Sequence, residues 1–235
     1  MIKAIMFDLD GTLLPMDQEV FIGSFSGLLS KKMVALKSYD PKLFSKAIWT
    51  AIGRITVNDG SRSNEELWWD VYCSIIGRQG KEDEDIFLDF YNNEFQQVAG
   101  VCGYDKMAAE IIALVKEKGL RPILATNPLF PQPATASRIR WAGMKPEDFW
   151  LFTTFEDYSY CKPNLDYYRQ IMEKTGLKPE ECVMVGNDVG EDMIAEKLGM
   201  KVFLLTDCLI NKTDADISVY PHGGFEQLKE FIEKL

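Results

Sequence analysis

Five short apolar runs recur along the chain, and segments of helical periodicity separate most of them. They are "KAIMFD" (3–8), "RPILAT" (121–126), "FWLFTTF" (149–155), "CVMVGN" (182–187) and "KVFLLT" (201–206). Each is nearly continuous in apolar side chains, so the strand it forms is buried on both faces. Helical patterns lie at 104–119, 164–176 and 191–199, between the runs. Strands that alternate with helices form a parallel sheet covered on both sides, so the pattern predicts an α/β fold with a doubly wound parallel sheet.

Residues 15–100 break the alternation. They contain no convincing strand and four helical patterns, at 17–37, 40–55, 63–76 and 82–98. Ser63 and Glu66 make a capping box at the start of the third, after a turn-forming "NDGSRSN". The chain thus divides into an α/β domain of residues 1–14 and 101–235 and a smaller all-α domain of residues 15–100. Linkers near 14–17 and 100–103 join them, and 235 residues are enough for both. Within the insert, "KEDEDIF" reads as a solvated first helical turn, where acidic groups suit the dipole. Trp49, Trp68 and Trp69 read as packing residues, and most of Lys31, Lys32, Lys46 and Arg54 as solvated.

A formal charge of −10 argues against general binding to nucleic acid or anionic membranes, which requires a basic surface. The five cysteines are scattered, odd in number and never spaced as Cys-x-x-Cys, which fits a reduced, cytoplasmic compartment. The N-terminal apolar run is too short and too soon acidic for a signal peptide, and no later run reaches the ~18 apolar residues of a membrane span.

Ligands of open parallel sheets bind beyond the carboxyl ends of the strands. The first run ends in Asp8-Leu9-Asp10-Gly11-Thr12 and the second in Thr126-Asn127. Lys162-Pro163 follows the third, and the fourth ends in Gly186-Asn187-Asp188, with Asp192 a helical turn on. Topology therefore gathers four carboxylates, a hydroxyl and an ammonium at one edge. Phosphoryl transfer uses such a set. A carboxylate attacks phosphorus to form an aspartyl-phosphate, and a second carboxylate two positions on protonates the leaving oxygen. Mg²⁺, which prefers hard oxygen ligands, separates the repelling anions, while Thr126 and Lys162 supply fixed donors.

"DLDGT", the strand-ending Thr126, Lys162 before a proline and "VGNDVGED" together resemble the four ordered motifs of the haloacid dehalogenase superfamily. The resemblance covers residues 5–14 and about 105–206, and the helical insert resembles that family's cap in position and length. It implies a Rossmann-like core, Asp8 as nucleophile and magnesium ligand, and Asp10 as general acid and base whose backbone carbonyl also reaches the metal. Thr126, Lys162 and the neighbouring Asn127 are then expected to bind phosphate. An acidic pair in the last motif, drawn from Asn187, Asp188 and Asp192, completes the metal shell. In the commoner family pattern an aspartate directly follows the glycine, whereas here Asn187 holds that place and Asp188 comes next. Charge favours Asp188; counting back from Asp192 lets Asn187 compete through its amide oxygen.

The expected activity is Mg²⁺-dependent hydrolysis of a small phosphorylated metabolite by a monomer or small homo-oligomer. Its alternatives within the family are a phosphomutase and a phosphonatase. A dehalogenase has no need of the acid Asp10. From other classes, a receiver-like phosphoacceptor requires its aspartate after an inner strand and no helical insertion after the first, the reverse of this chain. A non-catalytic binding protein is expected to lack Asp8 or Asp10. His222, the only histidine, reads as a structural loop residue.

Overall fold

A computed structural model of the chain describes residues 1–77 and 81–235. Six parallel strands form one sheet: β1 (Ala4–Phe7), β2 (Arg121–Leu124), β3 (Leu151–Phe152), β4 (Cys182–Gly186), β5 (Lys201–Leu205) and β6 (His222–Gly223). Their spatial order is β3-β2-β1-β4-β5-β6. The strand with the most continuous apolar run, β1, lies at the centre, with Phe7 opposite Leu124 on one side and Val185 on the other.

Side chains of β1 alternate between two cores, as the pleat requires. Ile5 and Phe7 join Leu124, Val185 and Leu205 on one face, against α5 (Lys106–Glu117) and α8 (Phe225–Glu233). Ala4 and Met6 join Ile123, Met184 and Val202 on the other, against α7 (Leu165–Thr175). The sheet is doubly wound, as the apolar runs predict. The order of strands reverses between β1 and β4, and the crevice of such a sheet opens there.

The insert is helical throughout most of its described residues: α1 (Gln18–Lys37), α2 (Pro41–Ile55), α3 (Asn64–Ile76), α4 (Lys81–Asn92) and a 3-10 segment at Glu94–Val101. The capping box at Ser63 is formed, with Glu66 N donating to Ser63 Oγ and Ser63 N to Glu66 Oε2. The single helix expected over 82–98 breaks at Asn93, whose amide donates to Asp89 O and Oδ1 and competes with the helical ladder.

Two side chains expected at the surface are inside. Asp83, in the acidic first turn of α4, is 1% exposed and accepts hydrogen bonds from Tyr39 and Tyr72 beside the Lys37 ammonium. The Lys32 side chain is 8% exposed, held by Asp89 and Glu94. The helical packing of the insert buries both, and each has charged or hydroxyl partners that compensate for desolvation.

Three connections seat the insert on the sheet. Its two linkers run side by side, with Met16 bridged to Cys102 and Gly103 N donating to Pro15 O at 2.7 Å. Phe21 and Phe25 of α1 meet Phe130 edge to face at 6.1 and 5.3 Å. Asn64, buried at the start of α3, donates to Pro128 O and accepts from Asn58, while its backbone N–H reaches Tyr158 O. Phe130 precedes α6 (Gln132–Trp141), a helix with no amphipathic stripe in the sequence because Ala134 through Ile139 are all buried.

Candidate active site

Beyond β1 the chain turns sharply. Asp8 N still donates to Val185 O, after which Thr12 N and Leu14 N return to Leu9 O. Gly11 has φ +84°, open to glycine but strained for other residues. A Cβ there would also overlap Asn187 Nδ2, so the turn after β1 and the loop after β4 touch at glycine distance.

Lys162 organises one side of the site. Its ammonium donates to Asp8 Oδ1 at 2.8 Å and to Asp192 Oδ1 at 2.6 Å, with its side chain 1% exposed. Burial alone would lower the pKa of Lys162, but Asp192 and Asp8 together hold it well above its ordinary value. Burial also raises the carboxyl of Asp192 to about 7, against the pull of Lys162. Asp192 Oδ2 in turn accepts from Asp188 N, and only a glycine at 186 leaves room for it, since a Cβ there would overlap that oxygen.

Asp10 belongs to the other side. Its Oδ2 pairs with Nη1 of Arg138 on α6, and its Oδ1 is buried with no hydrogen-bond partner among the described residues. Burial raises the pKa of Asp10, Asp8 adds to the rise, and the guanidinium of Arg138 opposes it. Arg138 is fully buried, donates also to Thr135 Oγ1 and lies 4.5 Å above the Phe130 ring. Sequence reading does not single out Arg138, because nothing in "SRIR" distinguishes it from Arg140 before α6 is known to be buried all round.

The remaining residues divide by what their atoms already do. Asn187 Oδ1 accepts from Thr12 Oγ1 at 2.9 Å and its amide donates to Cys208 O at 2.6 Å. Asp188 Oδ1 accepts from the backbone of Gly190 and Glu191, while its Oδ2 faces Lys212 at 3.8 Å. Thr126 is 2% exposed, its carbonyl held by Thr153 and Tyr167. Asn127 donates to Glu191 Oε2 and accepts from Lys162 N. Burial raises the carboxyl of Glu191, a residue the sequence reading passes over.

Asp8, Asp10, Thr126, Asn127, Asn187, Asp188 and Asp192 all line one cavity of about 200 Å³. Phe21, Ile22 and Trp49 of the insert close its far side, and Trp49, expected to pack, is 38% exposed. Lys162 lies behind the carboxylates. His222 sits on β6, away from this lining, with Nδ1 2.8 Å from Tyr220 O. Among the described residues, no three His, Cys, Asp or Glu side chains stand at metal-holding spacing. Lys162 engages Asp8 and Asp192, and Arg138 engages Asp10. The carboxylate, amide and hydroxyl oxygens that line the cavity outnumber its single thioether, Met16, and suit a hard dication.

The sequence profile of the haloacid dehalogenase-like hydrolases matches residues 2–198. A protein of Methanocaldococcus jannaschii named glyceraldehyde 3-phosphate phosphatase is 27% identical over 238 aligned positions, covering 100% of this chain and 99% of that one. Among solved structures, a 2-haloacid dehalogenase of Pseudomonas syringae superposes with a TM-score of 0.64 at 19% identity, covering 100% and 99% of the two chains. A phosphatase of the same superfamily from Thermococcus onnurineus gives 0.60 at 16%, covering 98% of each. These two likenesses speak for the fold. With four motifs on one strand edge and a profile spanning most of the sequence, the chain belongs to the haloacid dehalogenase-like hydrolases.

Proposed function

We propose that the protein is a Mg²⁺-dependent phosphatase that hydrolyses a small phosphorylated metabolite through an aspartyl-phosphate on Asp8. The observation that carries this reading is the pair of carboxylates lining one cavity with opposite partners, Asp8 on Lys162 and Asp10 on Arg138.

In the first step an Asp8 carboxylate oxygen attacks phosphorus and the ester P–O bond breaks. Lys162 holds Asp8 in place and adds positive charge behind the transferring group. The leaving oxygen takes a proton from Asp10. Its Oδ1 carries that proton in this scheme, since Oδ2 is engaged by Arg138 and burial favours the protonated acid. In the second step Asp10 removes a proton from water, which attacks phosphorus and frees Asp8. Thr126 and Asn127, which line the same cavity at the end of β2, orient the phosphate.

Asp8, the Asp10 carbonyl and Asp188 would hold the magnesium, which when bound offsets the repulsion between the ester and the carboxylates. Asp188 is preferred over Asn187 because the amide oxygen of Asn187 is taken by Thr12, whereas Asp188 Oδ2 lacks a close donor among the described residues. Asp192 serves by fixing Lys162 and the backbone of Asp188. The relative named for a triose phosphatase supports phosphate esters as the substrate class. The acid Asp10, unnecessary for displacing a halide, weighs against dehalogenation. Purified protein is expected to release phosphate from esters in a metabolite panel with Mg²⁺ and to lose that activity as Asp8→Asn. Turnover retained in that variant would refute the reading.

A further inference from the structure

Phe25, Ile52, Leu129 and Phe130 line the catalytic cavity and also line a second, adjoining cavity of about 300 Å³ between the insert, the loop before α6 and the loop after β3. The second chamber is walled mainly by apolar and aromatic groups, among them Leu29, Ile48, Trp68, Trp69 and Phe87. An apolar cavity of about 150 Å³ is enough to hold benzene. The chamber thus has space for a ring with a substituent, whereas a three-carbon polyol would leave its walls without partners.

Glu65, Glu84 and Glu156 border the chamber, and among the described residues no lysine or arginine does. Glu156 Oε1 accepts from Gln132 N at 2.9 Å, and its Oε2 is buried with no hydrogen-bond partner among the described residues. A second anionic group entering here would meet a like charge at Glu156, while a cationic or donor group would find an acceptor there.

Resting on the phosphatase reading, we propose that the preferred substrates are phosphate monoesters whose alcohol carries an apolar ring and no second negative charge. The ring occupies the chamber under α1, α2 and α3, and a donor at its far end meets Glu156. The reaction is the hydrolysis already described, with the ring-bearing alcohol as leaving group.

Four primary alkyl esters with similar leaving alkoxides test this: 2-phenylethyl phosphate, its para-aminomethyl and para-carboxy derivatives, and glyceraldehyde 3-phosphate. With the full chain and Mg²⁺, kcat/KM is expected to be at least about tenfold higher for 2-phenylethyl phosphate than for the triose phosphate, and about tenfold lower for the carboxylate than for the amine. Glu156→Gln should shrink the amine-to-carboxylate ratio severalfold. Leu88→Trp, at the exposed rim of the chamber, should lower the ring-to-triose ratio while thermal melting reports a folded protein. Equal or better turnover of the triose, or ratios unmoved by both variants, would overturn the chamber assignment and leave the phosphatase standing. No Mg²⁺-dependent release from any of the four, together with none from a general metabolite panel, would instead remove the phosphatase reading and this inference with it.

Discussion

The strand-end site and the chamber above it are built in opposite ways. At the strand ends, buried charges are matched one against another: Asp8 and Asp192 by Lys162, Asp10 by Arg138. In the chamber, apolar and aromatic walls make up most of the described lining, with Glu65, Glu84 and Glu156 at its border. The first arrangement fixes a few atoms in place and suits a reaction common to a family. The second fixes shape and suits discrimination between leaving groups, which apolar contacts supply in modest increments.

The sharpest way to break this contrast is at its charged pole. On the proposed mechanism Asp8→Asn should lower kcat by about a thousandfold or more, since Asp192, the other cavity carboxylate on Lys162, is engaged through its second oxygen by Asp188 N. Steady-state phosphate release measures it. Chelation of divalent ions should abolish turnover, and added Mg²⁺ should restore it; retained activity in the chelated enzyme would remove the metal from the mechanism.

Arg138→Met tests whether the second ion pair holds its carboxylate as firmly as the first. It leaves Asp10 without its cation among buried groups, and a loss of about 3 kcal/mol in denaturant unfolding is expected. At the seam between the two regions, Asn64→Ala removes donors to Pro128 O and Cys161 Sγ and the acceptor for Asn58. About 1–3 kcal/mol is expected, with faster amide exchange in α3 than in β1 or β4.

The smallest effect lies wholly within the insert. Burial alone would raise Asp83, yet hydrogen bonds from Tyr39 and Tyr72 and the Lys37 ammonium outweigh it and hold its carboxyl below the usual aspartate value. Asp83 therefore contributes stability that is present above the ordinary aspartate pKa and lost as pH falls through its depressed folded value. Acid should loosen α4 in the wild type, and Asp83→Asn should flatten that part of the pH–stability curve.

Legibility in the sequence follows the same divide. Asp8, Asp10, Thr126 and Asp188 can be read because each closes or follows an apolar run, and the end of a parallel strand is where ligands bind. The helices of the insert are readable from period and caps, as at Ser63. Arg138 is not, because α6 is buried from Ala134 to Ile139 and so shows no stripe to mark it as a helix. Asp83 misleads for a related reason: charge patterning reports what a helix end prefers, and only the packing of Tyr39 and Tyr72 against it decides that it is inside. The chamber has no sequence signature, since its lining comes from scattered positions on five helices and two loops. The two-residue β6 near the C-terminus also escapes a sequence reading, being too brief to show a period.

The near-contact of Gly11 with the amide of Asn187 has a bearing on inheritance and engineering. Because even a methyl group at position 11 overlaps that amide, a substitution in one segment is expected to require a change in the other, although 175 residues separate Thr12 from Asn187. Grafting either segment alone from a relative with a bulkier partner should jam the turn after β1, so viable chimaeras are expected to exchange both together.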